Sequence, residues 1–199
     1  MPEPGLGDIR TVFLDRDGTI NVKPPEGEYV TAPAELVLLP GAARALARLN
    51  AAGIRTVLVT NQSWLSRPGG DAARYAAIHA RLTELLAAEG AWLDAAYHCP
   101  HAPGDCECRK PQPGLLRRAA RELRIELDQS VIIGDRGTDM KAGRAAGTPA
   151  ILVRTGEGDS AAADAGIAAA ADADIVVEDL PAAVSLILRA RQVTARSGG

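Results

Sequence analysis

The chain has 199 residues and a net charge of −3, long enough to bury the core of one domain and too weakly charged to attract nucleic acid in general. Hydrophobic residues make up 47% of it and aromatic residues only 3%, and no apolar run approaches the roughly 18–20 residues that span a membrane. Residues 1–8 lack the basic, apolar, small-residue order of a signal peptide, so a cytoplasmic monomer without nucleic-acid or membrane partners is expected.

Residues 1–9 read as a loose lead-in. An apolar, β-prone run over 11–14 ends abruptly at Asp15 and Asp17, two carboxylates spaced i, i+2, and Gly18 lets the backbone turn. The loop over 21–33 is marked by Pro24, Pro25 and Gly27. Pro40 opens a helix over 41–50 with Ala45, Leu46 and Leu49 on one face, and Gly53 ends it. The run 55–59 is a strand of the kind buried on both faces, delivering Thr60, Asn61, Gln62 and Ser63 at its carboxyl end. Within 71–89, Ile78, Leu82, Leu85 and Leu86 recur at helical spacing. A third strand over 92–97 leads into an unusual loop over 98–113. A helix over 114–123 and a strand over 130–133, ending in Gly134 and Asp135, follow. Next come a helix over 138–146, a strand over 150–153, an alanine-rich helix over about 160–170, a short strand over 174–177 and a closing helix over 181–191. Residues 194–199 read as frayed.

Strands alternating with helices imply one α/β domain over 1–199, Rossmann-like, with its core over about 10–192. Its sheet should be mostly parallel with helices on both faces. No insertion over 21–35 or 135–150 is large enough for a cap domain. The order of the strands is not readable from one sequence.

Ligands in open α/β sheets bind outside the carboxyl ends of the strands. Asp15 with Asp17, Thr60, Lys110, and Asp135 with Asp139 all fall there. Each alone has an ordinary reading as a cap, a turn or a surface charge. Their convergence on one sheet edge is the stronger observation. A calcium loop is excluded for 15–18, because it wants glycine sixth and here glycine is fourth.

All three cysteines, Cys99, Cys106 and Cys108, share one loop with His101. Three thiolates and one imidazole suit a tetrahedral Zn²⁺ with no open position, hence a structural site. A disulfide is disfavoured in the cytosol and would leave one cysteine over. His98 is the competing imidazole. Arg109, Lys110 and Pro111 follow Cys108 directly, so the metal would staple the loop that carries Lys110.

The stretch Asp15-Arg16-Asp17-Gly18-Thr19, then Thr60, Lys110 and Gly134-Asp135 with Asp139, resembles the four motifs of the haloacid dehalogenase-like phosphatases, over about residues 10–154. The cysteine loop running into Arg109-Lys110, with Thr60-Asn61-Gln62-Ser63, is similar to the D-glycero-D-manno-heptose 1,7-bisphosphate phosphatases. The phosphatase domain of histidinol-phosphatase is closely similar. Trp64 departs from the pattern, which has a small residue there.

The resemblance implies a Mg²⁺-dependent phosphatase acting on a sugar bisphosphate, at the 7-phosphate of the heptose. It makes Asp15 the nucleophile and Asp17 the acid and base. It gives Mg²⁺ to Asp15, Asp135 and the backbone carbonyl of Asp17, while Asp139 orients Lys110 or the metal's waters. Thr60 and Lys110 would hold the transferring oxygens. Substrate contacts carry over to Asn61, Gln62, Ser63, Arg109 and Lys110, and to Arg16 and Arg136. A bidentate guanidinium at Arg109 suits a second phosphate; its plain alternative is a surface arginine. Histidinol phosphate is the rival substrate, and a non-catalytic zinc-binding module is the rival class.

Overall fold

The computed structural model describes residues 5–25, 27–156 and 169–197. Six strands, β1 (Thr11–Leu14), β2 (Arg55–Asn61), β3 (Ala95–Cys99), β4 (Ser130–Gly134), β5 (Ala150–Val153) and β6 (Ile175–Val177), pair in parallel in the order β3-β2-β1-β4-β5-β6. The chain builds outward from β1 to β3, then returns to start again at β4 on the other side. The strand order therefore reverses between β1 and β4, the place where such sheets open a crevice. Leu14 is level with both Leu58 and Ile133, so β1, β2 and β4 end close together.

Helices α1 (Ala42–Ala51), α2 (Ala72–Ala87), α3 (Gly114–Leu123), α4 (Gly137–Ala146) and α5 (Leu180–Ser197) cover both faces. Side chains alternate along each strand, and the alternation sorts the core into two clusters. Val12, Leu14, Leu58, Val131 and Ile133 face Leu46, Leu82 and Val184 of α1, α2 and α5. Phe13, Val57, Val59 and Ile132 face Leu115, Leu116 and Met140 of α3 and α4. The central strands are buried on both sides, which is why their sequences read as unbroken apolar runs.

Several boundaries differ from the sequence expectation. The third strand begins at Ala95, not at residue 92. Before it the hydrogen bonds are mixed: the Asp94 N–H donates to the Thr56 carbonyl of β2 at 2.8 Å, Asp94 Oδ2 accepts the Thr56 N–H at 2.7 Å, and Asn50 Oδ1 accepts the Trp92 N–H at 3.0 Å. The strand runs to Cys99, so the first cysteine is delivered by a strand and not by the loop. The described segments before β1 and after residue 191 hold regular structure that was not expected. Leu6–Asp8 forms a 3-10 turn with Leu6 and Ile9 buried, and α5 packs on this turn and continues through Ser197. The expected helix over 160–170 lies outside the described residues except for 169 and 170, which are helical. No helix among the described residues is long and apolar enough to cross a membrane.

Candidate active site

Asp15 follows β1 directly, and its N–H donates to the Ile133 carbonyl of β4 at 3.0 Å. The chain then turns at Gly18, whose φ of +88° is left-handed. Glycine is required there twice over, because a Cβ would collide with the Asp135 carboxylate. Asp135 follows β4, and Asp139 sits in the first turn of α4, where its Oδ2 accepts the Arg136 N–H at 3.2 Å. Thr60 is the penultimate residue of β2.

Lys110 ties these pieces together from the loop after β3. Its Nζ donates to Asp15 Oδ1 at 2.7 Å and to the Val59 carbonyl at 2.7 Å, and pairs with Asp139 Oδ1 at 2.6 Å. Burial opposes its charge, but Asp139 and Asp15 overcome that and hold its pKa above the ordinary lysine value. Asn61 fixes the lysine's backbone by a reciprocal pair: its amide donates to the Lys110 carbonyl at 2.9 Å and accepts the Lys110 N–H at 3.1 Å.

Asp15, Asp135 and Asp139 bring carboxylate oxygens within 4.8 Å of one another, all buried. Three hard oxygen donors in so small a volume fit a divalent cation of the Mg²⁺ type. The Asp17 carboxylate lies outside that cluster. It takes Arg16 Nε at 3.1 Å, Arg16 Nη2 at 3.0 Å, Asn21 Nδ2 at 2.9 Å and Gln62 Nε2 at 2.9 Å. Burial alone would raise its pKa, yet the Arg16 charge and these donors hold it below the ordinary carboxylate range.

Asp15, Asp17, Thr60, Asn61, Lys110, Arg136 and Asp139 line one cavity at this sheet edge. Gln62, Ser63, Arg16 and Arg109 do not. Arg16 and Gln62 are buried beneath the cavity, and Ser63 Oγ pairs with Tyr29 Oη at 2.9 Å. Arg109 Nη1 donates instead to the His101 carbonyl at 3.3 Å. Lys23, Tyr29 and Thr138 line the cavity without having been singled out in the sequence. No spacing marks them: Lys23 and Tyr29 belong to the proline-rich loop, which only the fold brings over the strand ends.

The cysteine loop closes on itself. Sγ–Sγ separations are 3.5 Å (Cys99–Cys106), 3.2 Å (Cys99–Cys108) and 3.2 Å (Cys106–Cys108), and His101 Nδ1 is 3.6 Å from Cys99 Sγ and 3.3 Å from Cys108 Sγ. A tetrahedral ion with metal–sulfur bonds of about 2.3 Å needs ligand separations of roughly 3.5–3.8 Å, so the sulfurs stand slightly closer together than a bound ion would hold them. The thiols are free, and the four donors converge on one point. His98 is not among them: its ring packs on Tyr75 at 4.2 Å.

Comparison with known proteins agrees with this geometry. The HAD-hydrolase-like family profile matches residues 107–183. The chain is 38% identical to the D-glycero-beta-D-manno-heptose-1,7-bisphosphate 7-phosphatase of Bordetella bronchiseptica, over 91% of this chain and 99% of that one. It belongs to that family of haloacid dehalogenase-like phosphatases. It is therefore a phosphoric monoester hydrolase. The D-glycero-D-manno-heptose-1,7-bisphosphate 7-phosphatase of Thermosynechococcus vestitus is 40% identical over 94% of this chain and 96% of its own. The crystal structure of the B. bronchiseptica enzyme, complexed with magnesium and phosphate, superposes with a TM-score of 0.82, covering 91% of this chain and 99% of that one. In this phosphatase the motifs expected from the sequence meet at one strand-order reversal, with the cysteine cluster beside them.

Proposed function

We propose that this phosphatase removes the 7-phosphate of D-glycero-D-manno-heptose 1,7-bisphosphate by way of a phosphoryl group carried on Asp15. The observation that carries the reading is the Lys110 ammonium, which holds Asp15 Oδ1 at 2.7 Å inside a ring of buried carboxylates. Close relatives across nearly the whole chain carry this activity in their names. Mg²⁺, bound with phosphate in the B. bronchiseptica structure, would be held by Asp15, Asp135 and the Asp17 carbonyl, and would screen the phosphate's charge. Zn²⁺ at Cys99, His101, Cys106 and Cys108 would be structural.

An Asp15 oxygen attacks phosphorus as the bond to the sugar oxygen breaks, and that oxygen takes a proton from Asp17. Asp17, now a carboxylate, takes a proton from water. The water oxygen attacks phosphorus, the bond to Asp15 breaks, and inorganic phosphate leaves. Arg16 and its neighbours favour the carboxylate form of Asp17, which suits the second half. An anionic phosphate entering the cavity favours proton uptake, which suits the first. Thr60 Oγ1 accepts from Gln62 Nε2 at 2.9 Å, so its own proton is available to a phosphoryl oxygen, as are those of Lys110.

The test is a side-by-side measurement of kcat/KM on the heptose bisphosphate and on histidinol phosphate, with Mg²⁺ present. A preference of at least about two decades for the bisphosphate, with the 1-phosphate retained in the product by phosphorus NMR, is the expected result. Equal rates, or a preference for histidinol phosphate, would remove the substrate assignment.

A further inference from the structure

The scheme above uses Gln62 only as the donor to Thr60 and does not use Trp64, yet both side chains are buried and the Gln62 amide also contacts the acid/base carboxylate. The Gln62 amide makes four side-chain contacts. Its Oε1 accepts from Trp64 Nε1 at 2.9 Å and from Arg16 Nη2 at 3.1 Å; its Nε2 donates to Asp17 Oδ2 and Thr60 Oγ1, each at 2.9 Å. An indole N–H and a guanidinium are donors and cannot accept. They therefore fix which end of the amide is oxygen, and the NH₂ end has only one way to point, at Asp17 and Thr60. Arg16 is itself buried, and its Nη2 bridges Asp17 Oδ2 at 3.0 Å and Gln62 Oε1 at 3.1 Å, so rotation of the amide would turn its NH₂ end against the guanidinium and cost Nη2 one of its two acceptors. The chain explains why the indole sits there: Ser63–Ser66 forms a 3-10 turn after β2, which folds Trp64 back over Gln62 two residues earlier and buries its ring in the face packed by α2.

We propose that Trp64, acting through the Gln62 amide, is a positioning residue that holds the Asp17 carboxylate toward the leaving-group oxygen. The proposal rests on the reading of Asp17 as the proton-transfer group. It concerns the placement of that carboxylate and not its ionisation. The indole N–H orients the amide, the amide and Arg16 grip Asp17 from one side, and Asn21 closes the grip from the other at 2.9 Å. The same amide touches Thr60, so one glutamine links the groups that serve the leaving oxygen and the transferring oxygens.

A sugar alkoxide needs a proton as it leaves, whereas p-nitrophenolate does not. A misplaced Asp17 therefore slows phosphoryl transfer from the sugar and not from p-nitrophenyl phosphate. For both substrates kcat/KM reports the steps through formation of the phosphoryl-enzyme. Trp64→Phe keeps the ring and removes the donor; Gln62→Met keeps the length and removes the amide. The ratio of kcat/KM values, heptose bisphosphate over p-nitrophenyl phosphate, should fall roughly three- to tenfold in Trp64→Phe and further in Gln62→Met. Adding Trp64→Phe to Asp17→Asn should produce no further fall in the ratio, because the indole acts through the group already removed. Equal losses on both substrates, no loss, or additive losses in the double variant would overturn the positioning role. If Trp64→Phe does not yield folded protein, the Gln62→Met ratio decides alone. Asp17→Asn keeps the parent reading separate: an unchanged ratio in that variant would refute Asp17 as the acid, whatever Trp64 does.

Discussion

Two clusters of metal-type ligands lie within one loop's reach of each other, and they are built in opposite ways. The carboxylates Asp15 and Asp135 stand at the ends of adjacent central strands, fixed by the sheet before any ligand is considered. The cysteine cluster sits in a segment over 100–113 without helix or strand, where only Cys99 comes from the sheet. The first cluster takes its geometry from the core. The second must supply geometry to its surroundings. Lys110 belongs to both worlds: its backbone is on the cysteine loop and its ammonium is in the carboxylate ring.

The carboxylate cluster should therefore fail in chemistry while the fold stands. Asp15→Asn keeps the size of the side chain, so folding should survive. Turnover should fall by ~10³-fold or more, since the amide is a poor nucleophile and a weaker ligand for a cation. Steady-state assays with circular dichroism as the folding control check this; residual activity above a few per cent in clean protein would displace Asp15 from its role. Asp17→Asn should cost ~10²–10⁴-fold, in both halves of the reaction. Single-turnover phosphoryl-enzyme formation and its breakdown, followed separately, show whether both slow.

The cysteine cluster should fail the other way round, in stability first and in chemistry as a consequence. Protein purified without added metal should carry about one zinc per chain by elemental analysis. Cys106→Ser removes one thiolate and replaces the sulfur that accepts the Arg109 N–H at 3.4 Å with a harder oxygen on a shorter bond. A loss of about 2–3 kcal/mol would lower Tm by ~5–10 °C in a chain of this size. Activity should drop with it, because the loop bearing Lys110 loosens. A Cys106→Ser protein with normal Tm but no activity would reverse the contrast between the two clusters.

The same contrast accounts for what was legible in the sequence. Asp15, Thr60 and Asp135 could be placed because each ends an apolar run, and a strand end puts its next polar residue at the sheet edge. The cysteine ligands could be placed because thiols gather in one loop for few reasons. Gln62, Ser63 and Arg16 were expected against the substrate and lie beneath the cavity. Which way a side chain points just past a strand end is decided by neighbours far along the chain, such as Tyr29 for Ser63, and no local pattern carries that. The third strand begins later than expected because the Trp92 N–H goes to the Asn50 side chain and the Asp94 carboxylate takes the Thr56 N–H of β2, so regular pairing with β2 starts only at Ala95. Strand order was not legible at all, although it is what makes β1 and β4 neighbours.

Arg109 sharpens the comparison most, because it stands where the two clusters meet and its expected effect is the smallest. Its guanidinium makes one exposed hydrogen bond, to the His101 carbonyl at 3.3 Å, and it does not line the cavity. A single exposed contact of that length is weak, so the side chain is available to a second phosphate held outside the cavity. If it serves that phosphate, Arg109→Ala should lower kcat/KM for the bisphosphate by about tenfold, the worth of one charge-assisted contact. A sugar monophosphate has nothing to offer the guanidinium, so its hydrolysis should change by less than about twofold. Arg109→Lys should recover part of the loss, since a point charge replaces a planar fork. If Arg109 instead braces the cysteine loop through His101, both substrates should lose equally and Tm should fall as well. The four rate constants, wild type and Arg109→Ala on each substrate, together with one melting curve, separate a residue that reads the substrate from one that only closes the loop around Lys110.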